Sequence, residues 1–320
     1  MLFLFKKISN YLLGSLILAL INIYLFLNKK IKMHFIYNKK FKIKKNYQNK
    51  KINFLDISKL QIDLNKPFFI LGCGTSINEL SDDEKRFIES STSVGINLFV
   101  VSDLDLKFYT WQRPKHKEAQ NALLEVLKSK SQKFYDQNPK LILYDSYLHA
   151  GFDPQELLKY FESVDVYSCA KIFSTSQKKL ECVYKYLFHP WILKLLGQQM
   201  VYGLHTTVDH LTHFAISAGF KEIVYVGIDL NNARYFWDEL RLETNIQVAL
   251  DKLPRQDKNK LHSTERKVGF IPVSEIINIM HKFASTKGIK FYTTSKKSKL
   301  FSFLPQYKFP KVSDKKKESQ

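Results

Sequence analysis

Between Thr206 and Asp229 the chain spells a single unit that leaves few folds open. Residues 206–218 place Val208, Leu211, Ala215 and Ile216 at helical spacing, and Gly219 ends the helix. Glu222-Ile223-Val224-Tyr225-Val226-Gly227-Ile228-Asp229 then reads as a strand with an acid at its carboxyl end. The same punctuation recurs elsewhere. Phe68-Phe69-Ile70-Leu71 is a short apolar run closed by Gly72-Cys73-Gly74, a buried strand and a tight turn. Ser76 followed by Glu79 is an N-cap pattern that opens a helix. Residues 93–97, 141–144 and 289–292 are further strand candidates. Residues 117–130, 155–162, 176–200 (interrupted at Pro190) and 273–286 read as helices. Strands alternating with helices predict an α/β fold: a mostly parallel, Rossmann-like sheet with helices on both faces. In such a sheet ligands bind beyond the carboxyl ends of the strands. The turn after Leu71 and the loop after Asp229 are the candidate places.

The amino-terminal region is of another kind. Residues 8–27 form a run of 20 without a charge. A helix of that length spans a hydrocarbon core of about 30 Å, and no small-residue cleavage site follows it. A retained transmembrane helix is the expectation. Residues 28–51 hold ten Lys and no acid, which places that side in the cytoplasm against anionic headgroups. The formal net charge is +20. Because half of that excess lies beside the apolar run, the basic balance points to a membrane surface and not to nucleic acid. Cys73, Cys169 and Cys182 form no CxxC pair, which excludes a zinc ribbon and a disulfide scaffold. The resulting plan is a short segment 1–7, an anchor 8–27, a Lys-rich linker 28–66, a catalytic domain 67–305 and a basic tail 306–320. The domain is expected on the cytoplasmic side of a bacterial inner membrane.

Within the domain, Gly72-Cys73-Gly74-Thr75-Ser76 follows a strand and precedes a helix, so backbone amides there are placed to approach a phosphate. The run lacks the third Gly of a dinucleotide fingerprint and the Lys of a P-loop, and an ordinary strand-to-helix turn is the alternative. Asp229 is placed to hold a ribose or a metal; an N-cap or a loop salt bridge is the alternative. Asn231 through Trp237 is polar and aromatic, suited to a sugar or a base. His205, Asp209 and His213 fall at i, i+4 and i+8 of one helix, a spacing that resembles a metal helix but brings no Glu base and no further ligand; structural histidines are the expectation. His262 lies in a polar, Lys-rich stretch, a surface loop or a lid carrying an acid–base group.

Four islands together resemble the bacterial sialyltransferases of glycosyltransferase family 42. They are Ile70 to Ser76; Val94-Gly95-Ile96-Asn97; Thr206-Thr207 with Gly219 to Ile223 and Gly227-Ile228-Asp229; and Gly288 to Tyr292 followed by Ser295 and Ser298. The resemblance implies a CMP-linked donor bound across this sheet edge with neither metal nor other cofactor. It places Gly72, Cys73, Gly74 and Ser76 on the nucleotide, Asn97 on the cytidine or donor side, and Thr206 and Thr207 on the donor. It places Tyr235 on the leaving phosphate and His262 as general base toward a glycan or glycolipid acceptor such as lipooligosaccharide or capsule. The chain departs from the family's pattern where Cys73 replaces an Asn, Leu204 an Arg and Asn231 a Tyr. A related acidic sugar on CMP is therefore equally open. So are a metal-dependent, pyrophosphokinase-like nucleotide-binding protein with Asp229 as ligand, and a non-catalytic membrane assembly factor. Expected partners are the donor, the acceptor, the inner membrane and, as an open alternative, a second copy of the chain.

The anchor can be tested apart from the chemistry. Deleting residues 1–45 should release a soluble protein that keeps donor hydrolysis; loss of the fold, read by circular dichroism, would show that residues 8–27 pack into the core.

Overall fold

The computed structural model describes residues 52–55, 62–111, 117–130, 132–144, 157–167, 169–171, 176–187, 201–203, 206–253, 257, 260–266 and 271–310. The expected anchor 8–27 and the Lys run 28–51 lie outside them, and among the described residues no helix is long and apolar enough to cross a membrane.

Among the described residues eight strands form one sheet, and every pairing in it is parallel. In chain order its members are β1 (Ile52–Phe54), β2 (Phe68–Leu71), β3 (Thr92–Ile96), β4 (Phe108–Thr110), β5 (Lys140–Tyr144) and β6 (Ser163–Tyr167), then β9 (Glu222–Val226) and β10 (Lys290–Thr293). Two three-residue strands, β7 (Cys169–Lys171) and β8 (Val201–Gly203), pair separately. The helices are α1 (Asp82–Glu89), α2 (Lys117–Ser129), α3 (Gln132–Asp136), α4 (Gln177–Leu187), α5 (Thr207–Ala218), α6 (Thr244–Asp251), α7 (Ser263–Arg266) and α8 (Val273–Ser285). Across the large sheet the order is β1-β6-β5-β4-β3-β2-β9-β10.

The apolar character of β2 explains its central place. All four of its residues are buried, and successive side chains face opposite sides. Phe68 meets Phe214 of α5 and Phe220, whereas Phe69 meets Phe87 of α1. Helices therefore cover both faces, as the sequence predicts. The crossovers agree: β2 steps to β3 in one direction and β9 to β10 in the other, and right-handed connections then put α1 and α8 on opposite sides.

Several boundaries differ from the sequence reading. The sheet starts before residue 67: β1 falls in the stretch taken as linker and pairs with β6, Asn53 Nδ2 donating to Asp165 Oδ1 at 3.1 Å. Residues 306–310, read as basic tail, are fastened to the sheet. Tyr307 N donates to Thr293 O at 2.8 Å, and Phe309 stacks on Phe69 with a ring separation of 6.1 Å. The helix expected at 155–162 is, in its described part, a turn in which Tyr160 N donates to Leu157 O. The helix expected over 176–200 is α4 up to Leu187, and the rest lies outside the described residues. The helix expected to open at Ser76 is a 3₁₀ turn, Thr75–Glu79; the helix itself starts later, where Ser81 and Glu84 form the capping box of α1.

The spacing of His205, Asp209 and His213 has a structural explanation for its two described members. Asp209 takes the amide of Thr206 at 2.7 Å and its hydroxyl, closing the capping box of α5. His213 is buried and stacks on Tyr184 at 5.7 Å. Among the described residues no group of three potential ligands forms, and His205 lies outside them. Burial, reinforced by His210, pushes the His213 imidazole down to about 3. Its folded value thus lies below the ordinary 6.5, so the unfolded chain binds the extra proton between those two pH values. Its contribution is complete above about pH 6.5 and is lost as the pH falls toward 3, with a slope of at most ~1.4 kcal/mol per pH unit. Urea unfolding across that range should show the decline, and His213→Leu should flatten it; an unchanged slope in the variant would locate the acid sensitivity elsewhere.

Candidate active site

The chain leaves β2 toward β3 and later returns to the other side of β2 with β9, which makes the carboxyl ends of β2 and β9 the switch point of the sheet. Two glycine turns meet there. Gly72 N donates to Val226 O and Gly74 N to Gly227 O, each at 2.8 Å. The backbones are so close that a β-carbon on Gly74 would lie 2.4 Å from Asp229 Oδ2 and 2.8 Å from Gly227 O. Gly227 adopts φ +62°, a left-handed conformation that suits glycine.

Asp229 is buried in this junction. Its Oδ2 accepts from Ser76 N at 3.0 Å and from Thr75 Oγ1 at 3.4 Å, and its Oδ1 accepts from Ser76 Oγ at 2.5 Å. A carboxylate of the chain itself thus sits at the amino end of the 3₁₀ turn, where anions are favoured. The amides of Gly72, Gly74 and Ser76 are all engaged inside the protein, and the Asp229 carboxylate ties the two turns together through Thr75 and Ser76.

The rim is built around this junction. Cys73 Sγ donates to Ile96 O at 3.4 Å, tying the first turn to the end of β3, and burial pushes its thiol far above the usual range. Asn97 follows directly, held at φ +56°. Phe236 N donates to Cys73 O at 2.9 Å, and Asn78 Nδ2 donates to Phe236 O at 3.0 Å and Glu239 Oε2 at 2.9 Å. These bonds seat the 3₁₀ turn Phe236–Glu239 and carry Tyr235 to the edge. The Tyr235 ring lies 4.5 Å from that of Trp237, nearly parallel at 14°. Burial, then Cys73 and Asp238, pushes its phenol up to about 12, so at neutral pH it remains a hydrogen-bond donor.

On the other flank Leu230 holds φ +64°, an uncommon conformation for a bulky side chain. Its carbonyl accepts from His262 N at 3.2 Å, which brings the His262 stretch to the end of β9. His262 Nδ1 lies 2.9 Å from Thr264 Oγ1 and 3.4 Å from Thr264 N. Asn231 Nδ2 donates to Lys297 O at 2.5 Å, and Lys297 pairs with Glu79. That Glu79 carboxylate also accepts from Ser295 Oγ at 3.2 Å.

Direct bonds therefore gather Gly72, Cys73, Gly74, Ser76, Asp229, Asn231, Tyr235 and His262 along one edge, with Asn97 beside Ile96. Thr206 and Thr207 open α5 and are buried, and the Thr206 hydroxyl is engaged by Asp209. Asn78, Glu265, Ser274 and Lys299 carry no signal in the sequence, and Glu79 shows there only as part of a capping pattern. Their side chains are ordinary polar ones in polar runs, and only their partners, often more than a hundred residues away, give them a role.

No family model matches the chain, and no curated protein matches it. Solved structures do resemble it. The sialyltransferase CstII from Campylobacter jejuni, in complex with the substrate analogue cytidine-5'-monophosphate, is 18% identical with a TM-score of 0.39, over 75% of this chain and 84% of that one. The monofunctional alpha-2,3-sialyltransferase Cst-I from Campylobacter jejuni is 13% identical with a TM-score of 0.42, over 79% and 86%. The MAf glycosyltransferase from Magnetospirillum magneticum AMB-1 is 15% identical with a TM-score of 0.42, over 77% of this chain and 34% of that one. Similarity at this level concerns general architecture and does not bear on chemistry.

The turn-to-turn packing has a direct test. Gly74→Ala cannot keep both the Gly227 carbonyl and the Asp229 carboxylate in place, and should lower stability by about 1–3 kcal/mol, the usual range for overpacking. A urea midpoint equal to that of the unsubstituted protein would mean that the turns do not meet in this way.

Proposed function

We propose that this chain is a glycosyltransferase that moves sialic acid, or a related acidic sugar, from a CMP donor to a glycan acceptor such as lipooligosaccharide or capsule, with His262 as general base and no metal. What carries this reading is the convergence of the two glycine turns, Tyr235 and His262 on the switch-point edge of a parallel sheet, where open α/β sheets take nucleotides. The choice of donor rests on the four sequence islands that resemble family 42.

The chemistry asks little covalent help of the protein. The anomeric carbon is already activated by its phosphate leaving group, so the protein must stabilise charge on that phosphate and remove one proton from the acceptor hydroxyl. Tyr235 suits the phosphate, since a phenol is a hydrogen-bond donor at neutral pH and Trp237 fixes the ring. Cys73, Asn97 and Asn231 lie along the same edge; Cys73 Sγ is engaged by Ile96 O and the Asn231 amide by Lys297 O and Asn232 Nδ2, so in this reading Cys73 and Asn231 shape the nucleotide and sugar site. Since the glycine and Ser76 amides are occupied, this turn supplies shape to the nucleotide site while its hydrogen bonds come from the rim. His262 suits the proton transfer. Thr264 N–H donates to His262 Nδ1 at 3.4 Å and Thr264 Oγ1 lies 2.9 Å from the same nitrogen, which orients the ring; the base role uses whichever ring nitrogen carries the lone pair when the acceptor is bound. In this reading residues 8–27 tether the enzyme to the cytoplasmic face of a bacterial inner membrane, which raises the effective concentration of a lipid-linked acceptor. The pyrophosphokinase-like alternative needs Asp229 as a metal ligand, and both of its oxygens are already engaged by Ser76 and Thr75.

Purified protein incubated with CMP-sugars and lipooligosaccharide should release CMP, and no release above background with any donor would overturn the proposal. His262→Ala should lower transfer by ~10²–10⁴-fold and leave donor affinity nearly unchanged, because the proton it removes belongs to the acceptor. Full activity in His262→Ala with none in His205→Ala would move the base to His205.

A further inference from the structure

We propose that Glu265 and Lys299 are positioning residues that latch His262 onto the carboxyl end of β9. This rests on the reading of His262 as the base. The local chain gives His262 little support of its own. It immediately precedes α7, a helix of four residues, too short to be stable alone. A carboxylate inside that helix supplies what is missing. The Glu265 side chain is fully buried (0% exposed). It accepts from Ser274 N at 2.8 Å and Ser274 Oγ at 2.6 Å, which fastens α7 to the first turn of α8. Its Oε2 also accepts from Lys299 Nζ.

The backbone completes a closed circuit. Lys299 N donates to Asp229 O at 2.8 Å, Asp229 is followed by Leu230, and Leu230 O accepts from His262 N. Glu265 N in turn donates to His262 O at 2.8 Å. Asp229, Leu230, His262, Glu265 and Lys299 thus form one ring joined by three backbone hydrogen bonds and one ion pair. Ser298 Oγ, donating to Ile228 O at 2.7 Å, braces the same corner. Opening the ion pair leaves a buried carboxylate without its cation, so the ring is strong only when both partners are present. The Lys299 side chain is 39% exposed, and the latch is therefore the accessible link in a ring whose other members are held by main chain.

The experiment compares full-length protein with Lys299→Met, Glu265→Gln, the double variant Glu265→Gln/Lys299→Met and Lys299→Arg. Lys282→Met, on an exposed ion pair with Glu181, serves as control. Amide hydrogen exchange over residues 260–266 is read alongside transfer kinetics. The latch predicts that exchange there rises roughly tenfold in the first three variants. It predicts that kcat falls by about 10²-fold, the scale of a small misplacement of a reacting group. The KM for the CMP-sugar should stay within about twofold, since a base acting on the acceptor does not bind the donor. Lys299→Arg should keep both readouts near those of the unsubstituted protein, a rescue that a loss of general stability does not produce. If Lys299→Met does not fold, the uncharged double variant, which buries no bare carboxylate, decides the matter. Unchanged exchange over 260–266, or unchanged kcat in variants that exchange faster, overturns the proposal. Failure of the functional reading looks different: no donor releases CMP with the unsubstituted protein, while the exchange measurement still decides whether the ring holds His262.

Discussion

The two turns that end β2 and β9 are pressed backbone to backbone, and the rest of the site depends on that contact. It admits no side chain at Gly72 or Gly74 and bends Gly227 into a left-handed conformation. It also delivers the Asp229 carboxylate to the amide and hydroxyl of Ser76. A buried carboxylate must be compensated, and hydrogen bonds to a charged acceptor contribute about 1.5–3 kcal/mol each. The junction is therefore a rigid corner, and every rim residue is referenced to it. Tyr235 is seated through Cys73 O, His262 through Leu230 O and Lys299 through Asp229 O.

This corner changes the meaning of an anion-friendly motif. A glycine turn leading to a helical start usually keeps its amides for a bound phosphate. Here the amides of Gly72, Gly74 and Ser76 point into the protein, and an internal carboxylate accepts from the last of them. The edge is consequently lined by side chains of the surrounding loops: the Tyr235 phenol stacked on Trp237 and an imidazole oriented by Thr264. Left-handed φ at Leu230 is unfavourable by roughly 1–3 kcal/mol, whereas Asn97 is of a residue type that adopts it readily.

Much of the scaffold could be read directly from the residues. Phe68–Leu71 and Glu222–Val226 are nearly unbroken apolar runs because both faces of a central parallel strand are covered. The α5 and α8 helices showed their apolar spacing. The strands that escaped notice lack such a signal. β4 has three residues, β6 interrupts its run with Asp165, and β1 is a three-residue strand beside a Lys-rich run. Asp165 is tolerated inside a sheet because Asn53 and Ser163 bond to it, a fact of pairing that no local window contains. The tail at 306–310 escaped for the same reason, since its aromatic rings gain their value only against Phe69 and Phe87.

Ser76-Ile77-Asn78-Glu79 and Ser81-Asp82-Asp83-Glu84 are the same capping pattern, three residues from hydroxyl to carboxylate, and the chain uses them differently. The second closes on itself as a capping box because nothing competes for it. The first is overridden: Asp229, 153 residues away, takes the Ser76 amide and hydroxyl, and Glu79 turns outward to Lys297 and Ser295. Periodicity and punctuation by themselves determined the alternation of strands and helices, and hence the parallel sheet, because burial of apolar side chains is a local property of spacing. Which groups at the carboxyl ends of β2 and β9 are spent on the protein was decided only by tertiary structure. Hydrogen-bonding capacity is finite, and the partner that claims it is brought by the fold from a distant part of the chain.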